Sequence, residues 1–179
     1  MIWFMLVSCA APETPSEIIV RTPMSPANAT AAPPTAPTRV ETSPLGYRLV
    51  YPADWQLLRQ TEFEERTARS PDGLSLISVA PYPAPLSEAD LAAQTPFNLF
   101  SRFVARGSKD EPPVTWPDHS VYRAFIGTDP PGRPIAGATR MVRLADGKIF
   151  VMLYSTTPER WPAERAQAEI LLAQSGPVP

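Results

Sequence analysis

Few side chains in this chain have the type and spacing to do chemistry. Its one histidine, His119, follows Asp118. A histidine beside a carboxylate is the usual apparatus of general-base catalysis. Neighbours along a strand point to opposite faces, however, so adjacency does not make these two a dyad, and a surface histidine is expected. Glu62, Glu64 and Glu65 carry the oxygens that Ca²⁺ or Mn²⁺ prefer. Strand alternation puts Glu62 with Glu64 and Glu65 opposite, and Arg66 and Arg69 stand ready to pair with them. An ion-paired, solvated strand is therefore expected rather than a metal site. Ser70 and Ser155 lack the Gly-x-Ser-x-Gly elbow of a hydrolase. The stretch Gly127-Thr128-Asp129-Pro130-Pro131-Gly132 has glycines but neither the lysine nor the helix of a phosphate loop, and reads as a turn. One cysteine and one histidine cannot furnish the four ligands of a structural zinc. The expectation is no catalytic site, no metal and no cofactor.

The remaining reactive group is the sole cysteine, Cys9, which ends the apolar run Met1-Ile2-Trp3-Phe4-Met5-Leu6-Val7-Ser8. The segment Leu6-Val7-Ser8-Cys9 resembles the lipobox of bacterial lipoproteins. That resemblance implies a diacylglyceryl group on the Cys9 sulfur and cleavage just before it. Two acyl chains anchor through hydrocarbon burial, at roughly 0.8 kcal/mol per CH₂. The run is too short to span a bilayer, which takes ~20 apolar residues. No Lys or Arg precedes Cys9, whereas a secretory signal opens on a basic n-region. Residues 1–9 are accordingly expected to be a truncated signal peptide, with its true start upstream. The partner implied is the membrane, and the location is its extracytoplasmic face.

With 179 residues the chain has room for one medium domain and appendages. A net charge of -2 argues against nucleic acid as a partner, because phosphate binding wants a basic face. Many of the 24 prolines fall within residues 10–44, among Ala, Thr and Ser. Such a composition does not offset the entropy of ordering, so this segment reads as a disordered, extended tether. The folded domain is expected over 45–176.

Within it, residues 46–52 alternate Tyr47, Leu49 and Tyr51 on one face and read as a strand. Further strands are expected over 55–60, 63–69 (polar, hence nearer an edge or half exposed) and 74–80. Ser87 with Asp90 forms a capping box, and Thr95-Pro96 opens a long middle helix whose stripe is Phe97, Phe100, Phe103 and Val104, stopped by Gly107. Strands follow over 121–126, 135–144 and 148–155, the last two joined by a two-residue Asp146-Gly147 hairpin. Phe150, Met152 and Tyr154 share one face of the last strand, and Ile149, Val151 and Leu153 the other. A closing helix lays Ala163, Ala166, Ile170, Leu171 and Ala173 on the sheet. Hairpin-length links imply an α+β fold, an antiparallel sheet covered by helices.

The aromatics supply two candidate sites. Trp116-Pro117, in a proline-rich loop, is the candidate protein-binding surface, because exposed aromatics on rigid loops make good anchors. Phe97, Phe100 and Trp55 are candidates to line an apolar pocket between helix and sheet.

The segment Gly46-Tyr47-Arg48-Leu49-Val50-Tyr51-Pro52-Ala53-Asp54-Trp55 is similar to the opening of PsbP-like domains, an aromatic-rich strand ending in Tyr-Pro-x-x-Trp. The middle helix, the Asp146-Gly147 hairpin and the closing helix come in matching order. The resemblance covers residues 45–175 and implies an α/β/α sandwich. Characterised members of that superfamily are mostly binders or assembly factors. The photosynthetic subunit binds its partners largely through its own N-terminal extension, which the Pro/Ala/Thr tether does not match. The expectation is therefore a lipid-anchored, non-catalytic protein-binding or assembly module whose partner is an envelope protein. A carrier or sensor of a small hydrophobic ligand is the alternative, and an enzyme stands behind both.

Overall fold

The computed structural model describes residues 37–59, 65–83 and 85–178. Strands β1 (Thr38–Ser43) and β2 (Tyr47–Pro52) form a hairpin, followed by β3 (Gln56–Arg59), β4 (Arg66–Arg69) and β5 (Leu76–Tyr82). Two short helices, α1 (Glu88–Ala93) and α2 (Pro96–Phe100), lead to β6 (Lys109–Asp110), β7 (Val114–Thr115), β8 (Val121–Thr128), β9 (Pro134–Arg143) and β10 (Ile149–Thr156). Helix α3 (Trp161–Gln174) and a final strand, β11 (Gly176–Pro177), close the chain. The large sheet runs β3-β4-β5-β10-β9-β8-β6, with β7 also on β8, and every pairing is antiparallel. A small sheet, β1-β2-β11, stands apart from it.

Strand β10 lies near the centre of the large sheet and is buried along its whole length. Phe150, Met152 and Tyr154 meet Tyr47 and Leu49 of β2 and Trp161, Leu171 and Leu172 of α3 on one face. Ile149, Val151 and Leu153 meet Leu91, Phe100 and Val104 on the other. Three layers result: α3 with the small sheet, the large sheet, and the α1–α2 segment. Each large apolar side chain so buried contributes about 1.5–3 kcal/mol, and these two clusters hold the layers together. The fold is α+β, as expected.

Several sequence expectations change. Thr38–Ser43, assigned to the tether, is strand β1, so ordered chain begins ahead of 45. Strand β4 is not at an edge but lies between β3 and β5, with Thr67 and Ala68 buried. The long middle helix is two short ones. The capping box on Ser87 and the Thr95 cap form as expected. After Phe100, though, Phe103 and Val104 both donate their N–H to the Phe100 carbonyl, and Ala105 N–H goes to Thr128 O at 2.8 Å. The backbone thus leaves the helix for the end of β8. Helix α2 holds only Phe97 and Phe100 of the expected stripe, and Phe103 and Val104 join Phe100 in the same apolar cluster from the turn that follows it. Helix α3 packs on a face rotated from the expected one: Leu171 is buried as expected, but with Trp161, Ala168 and Leu172, while Ile170 is half-buried and Ala163, Ala166 and Ala173 are exposed. The inward stripe includes Glu164, whose carboxylate has buried partners, and alanines lose little by facing water.

Four hairpins share one turn. In each, residue i donates to the carbonyl of i+4 or faces it in register, and the N–H of i+3 returns to the carbonyl of i: Ser43–Tyr47, Trp116–Ser120, Asp129–Arg133 and Leu144–Lys148. These are three-residue loops, so the Asp146-Gly147 connection is one residue longer than expected. The third loop residue has positive φ and is Gly46, Gly132 or Gly147 in three of them, as this turn prefers. In the fourth it is His119, at φ 62°. A side chain there is strained. His119→Gly is expected to raise stability by about 0.5–1 kcal/mol, once glycine's extra unfolded-state entropy is set against the relieved strain. A urea titration checks it, and a loss of stability would mean the imidazole makes a contact worth more than the strain.

Candidate functional site

Helix α3 carries no basic residue in its last turn, so its terminal carbonyls need donors from elsewhere. Arg140, in the middle of β9 and only 4% exposed, supplies them. Its Nη1 donates to Leu172 O (2.6 Å), Ser175 O (3.1 Å) and Ala173 O (3.3 Å), and its Nε donates to Ser120 Oγ at 2.9 Å. Its Nη2 forms a short ion pair with Asp118, and the guanidinium lies 5.1 Å from the Trp116 ring centroid. Burial pulls the Arg140 guanidinium below its ordinary value, against the pull of Asp118. Burial pushes the Asp118 carboxyl up, but hydrogen bonds from Ser120 and the Arg140 charge outweigh it and hold the group below its ordinary value. Trp116 stacks on Tyr122 at 5.3 Å between centroids. One arginine thus joins the end of α3, the sheet and the β7–β8 turn.

The rest of α3 is tied down in the same manner. Glu164 accepts from Tyr154 Oη (2.9 Å), Ser75 Oγ (3.1 Å) and Arg160 Nε (2.6 Å). Ser75 Oγ also meets Thr156 Oγ1 at 2.8 Å. Arg160 continues to Asp72, whose carboxyl is lowered to about 2 by hydrogen bonds from Ser70 and the Leu74 N–H. Tyr122 Oη donates to Glu169 at 3.0 Å, and Arg165 bridges Glu169 and Glu111. Burial, reinforced by the neighbouring glutamate, pushes both tyrosine hydroxyls up, so they stay neutral donors. On the opposite face, buried Glu65 accepts from Thr67 Oγ1 (2.7 Å), Ser78 Oγ (2.5 Å) and Arg102 Nη2 (2.9 Å). That cluster fixes the segment after α2 to the sheet.

The residues singled out from sequence fall as follows. Cys9, Glu62 and Glu64 lie outside the described residues. Glu65 pairs with Arg102, 37 positions away, rather than with the side chains of Arg66 or Arg69. Asp118 and His119 share a turn, but Asp118 turns to Arg140 and Ser120, and His119 is exposed. Trp116 is half-buried against Tyr122 and Arg140, so its ring is not the free anchor expected; Pro117 beside it is exposed. Phe100 and Trp55 belong to opposite faces of the large sheet: Phe100 packs with Val151 and Leu153, Trp55 lies 6.0 Å from the Tyr154 ring. No single pocket contains both. Phe97 is half-buried, with Arg106 at 5.0 Å from its ring. Sequence reasoning missed Arg140 altogether. Its signal was a lone charged residue within the run Ile135–Val142, whose other residues are apolar or small apart from Thr139.

Neither a protein-family model nor a curated protein sequence matches the chain. Solved structures do. Cyanobacterial PsbP (CyanoP) from Synechocystis sp. PCC 6803 matches with a TM-score of 0.52 at 15% identity, covering 87% of this chain and 100% of its own. Protein PA94 from Pseudomonas aeruginosa, of unknown function, gives 0.45 at 15% identity over 79% of this chain and 98% of its own. LpqN from Mycobacterium tuberculosis, described as involved in cell envelope biogenesis, gives 0.42 at 12% identity over 82% and 87%. With its antiparallel sheet between α3 and the α1–α2 segment, and its match across the whole of the cyanobacterial protein, the chain has a PsbP-like fold.

Proposed function

We propose that this protein is a lipid-anchored, extracytoplasmic binding module. Cys9 carries the anchor, the proline-rich segment gives reach, and the PsbP-like domain presents a recognition surface to an envelope protein. The observation that carries this reading is the rim Glu111–His119. Pro112, Pro113, Thr115, Pro117, Asp118 and His119 are all exposed on it, while Trp116 and Asp118 fix it from below to Tyr122 and Arg140. A display that is rigid before binding loses little entropy on binding. The polar groups beneath it are engaged in structural hydrogen bonds rather than aimed at a common point in space. The carrier reading has no such support, since the sheet separates Trp55 from Phe100.

Two measurements test this. In cell fractionation, the native protein is expected in the membrane with diacylglyceryl on Cys9 by mass spectrometry, and Cys9→Ala is expected to be released. A photoreactive residue at Pro117 is expected to give one discrete adduct with an envelope protein, absent when the residue is placed at exposed Ala163 of α3. An unmodified Cys9 in a cytosolic chain would overturn the anchor. Adducts from Ala163 and none from Pro117 would overturn the rim.

A further inference from the structure

Strand β1 ends the small sheet, and among the described residues it pairs only with β2. Edges of this kind invite pairing with another chain, and proteins blunt them by shortness, bulges or proline. The other terminal strands are blunted so: β3 has four residues, β6 two, and β11 two including Pro177. Strand β1 has six in unbroken register with β2. Its hydrogen-bonding phase follows from two facts. Ala53 N–H donates to Pro37 O, and Pro52, which has no N–H, faces Thr38. Alternation in an antiparallel pair then turns the backbone groups of Arg39, Glu41 and Ser43 toward β2, and those of Thr38, Val40 and Thr42 toward the open edge. Val40 is 59% exposed.

The residues of that edge read Thr38-Arg39-Val40-Glu41-Thr42, which about Val40 is a palindrome with its charge inverted. We infer that β1 pairs antiparallel with β1 of a second copy, on a two-fold axis through Val40. In that register Val40 faces Val40 and Thr38 faces Thr42, and these are the pairs whose outward N–H and C=O groups bond. Arg39 faces Glu41 of the other copy, in the closer, non-hydrogen-bonded pairs, where opposite charges attract on both sides of the axis. The self-complementarity that a two-fold interface requires is present in five consecutive residues. The two small sheets then form one continuous sheet across the dimer.

The test is sedimentation velocity over a concentration series on the full chain carrying Cys9→Ser, which removes both lipid and an intermolecular disulfide. Reversible dimerisation is expected. Val40→Pro removes two symmetric hydrogen bonds at the axis while leaving the β2 pairing intact, because the Val40 N–H points away from β2. It is expected to weaken the dimer about 30-fold with unchanged circular dichroism. Arg39→Glu and Glu41→Arg each place like charges opposite one another and are expected to be monomeric alone. Mixed in equal amounts they restore both attractive pairs and are expected to form a heterodimer, a result that stands even if Val40→Pro fails to fold. A wild-type chain monomeric at all concentrations, as when its own N-terminal segment or another protein covers the edge, overturns the inference. So does a dimer indifferent to Val40→Pro, or a mixture that stays monomeric.

Discussion

Arg140→Ala is expected to lower the unfolding free energy by about 3 kcal/mol, chiefly because buried carbonyls are left without their donor, since Asp118 is half exposed and keeps its hydration. The loss has two sources. The carbonyls of Leu172, Ala173 and Ser175 lose the donor that satisfied the end of α3. Asp118 loses its cation, and the β7–β8 turn loses its tie to the sheet. Arg140→Met separates charge from packing, because it keeps the aliphatic stem beside Met152, so most of the loss should persist in it. Arg140→Lys offers one ammonium where the structure uses a fork of three nitrogens, and should recover only part. Urea titrations measure all three, and hydrogen exchange should show faster opening of the last turn of α3 and of β11. The pH dependence has a definite sign. The folded-state pKa of Asp118 is depressed, so its ionised form stabilises the fold. That contribution is complete above the unfolded value, about 3.9 for an aspartate, and is lost as pH falls through the lower folded value. The gap between wild type and Arg140→Ala should therefore narrow on acidification below that point. A gap that widens in acid would assign the stabilisation to some other group.

How far the sequence showed this molecule depends on whether a feature is written in local spacing. Strand β10 was legible on both faces because its period of two is uninterrupted and both sets are apolar. The Ser87–Asp90 box was legible because its partners are three residues apart. The middle segment was not, because the Phe97, Phe100, Phe103 and Val104 spacing fits a continuous helix, whereas the bond that draws the chain away after Phe100, Ala105 to Thr128, is non-local. The face of α3 was misassigned because hydrophobicity alone does not reveal that Glu164 has Tyr154 and Ser75 waiting beneath it. Strand β1 sat inside a proline-rich composition, and its six residues form a strand because β2 is there to pair with. The proposed pocket joined Trp55 to Phe100 because a linear reading does not say which side of the sheet each segment crosses. The rim at Trp116 was found for its prolines and aromatic, but the arginine that holds it came from a strand 24 residues on.

Gly137→Ala is expected to be more damaging than a single methyl suggests. Gly137 lies in β9 between Phe125 of β8 and Ser155 of β10. A Cβ there would stand 2.0 Å from Tyr154 O and 2.9 Å from Ser155 Cα. Both are backbone atoms of the buried central strand, so no rotamer change relieves the overlap; β9 and β10 must separate. Tyr154 is also the residue whose hydroxyl binds Glu164 and whose ring touches Trp55 and Trp161, so displacement of its backbone is passed to α3. A loss of at least about 3 kcal/mol is expected, in the range of severe core overpacking, with a fall in soluble yield. Two comparisons isolate the cause. Gly127→Ala, whose Cβ would stand 3.0 Å from Ser108 Cβ and 3.2 Å from Ser108 Cα beside the two-residue edge strand β6, should cost less because the overlap is smaller and lies at the edge of the sheet. Gly147→Ala, with open space but φ of 85°, should cost about 1 kcal/mol through backbone strain alone. If Gly137→Ala unfolds no more easily than Gly147→Ala, then β9 and β10 part at that point without cost. The close approach of the two strands would then be incidental to the way the sheet holds Tyr154 under α3.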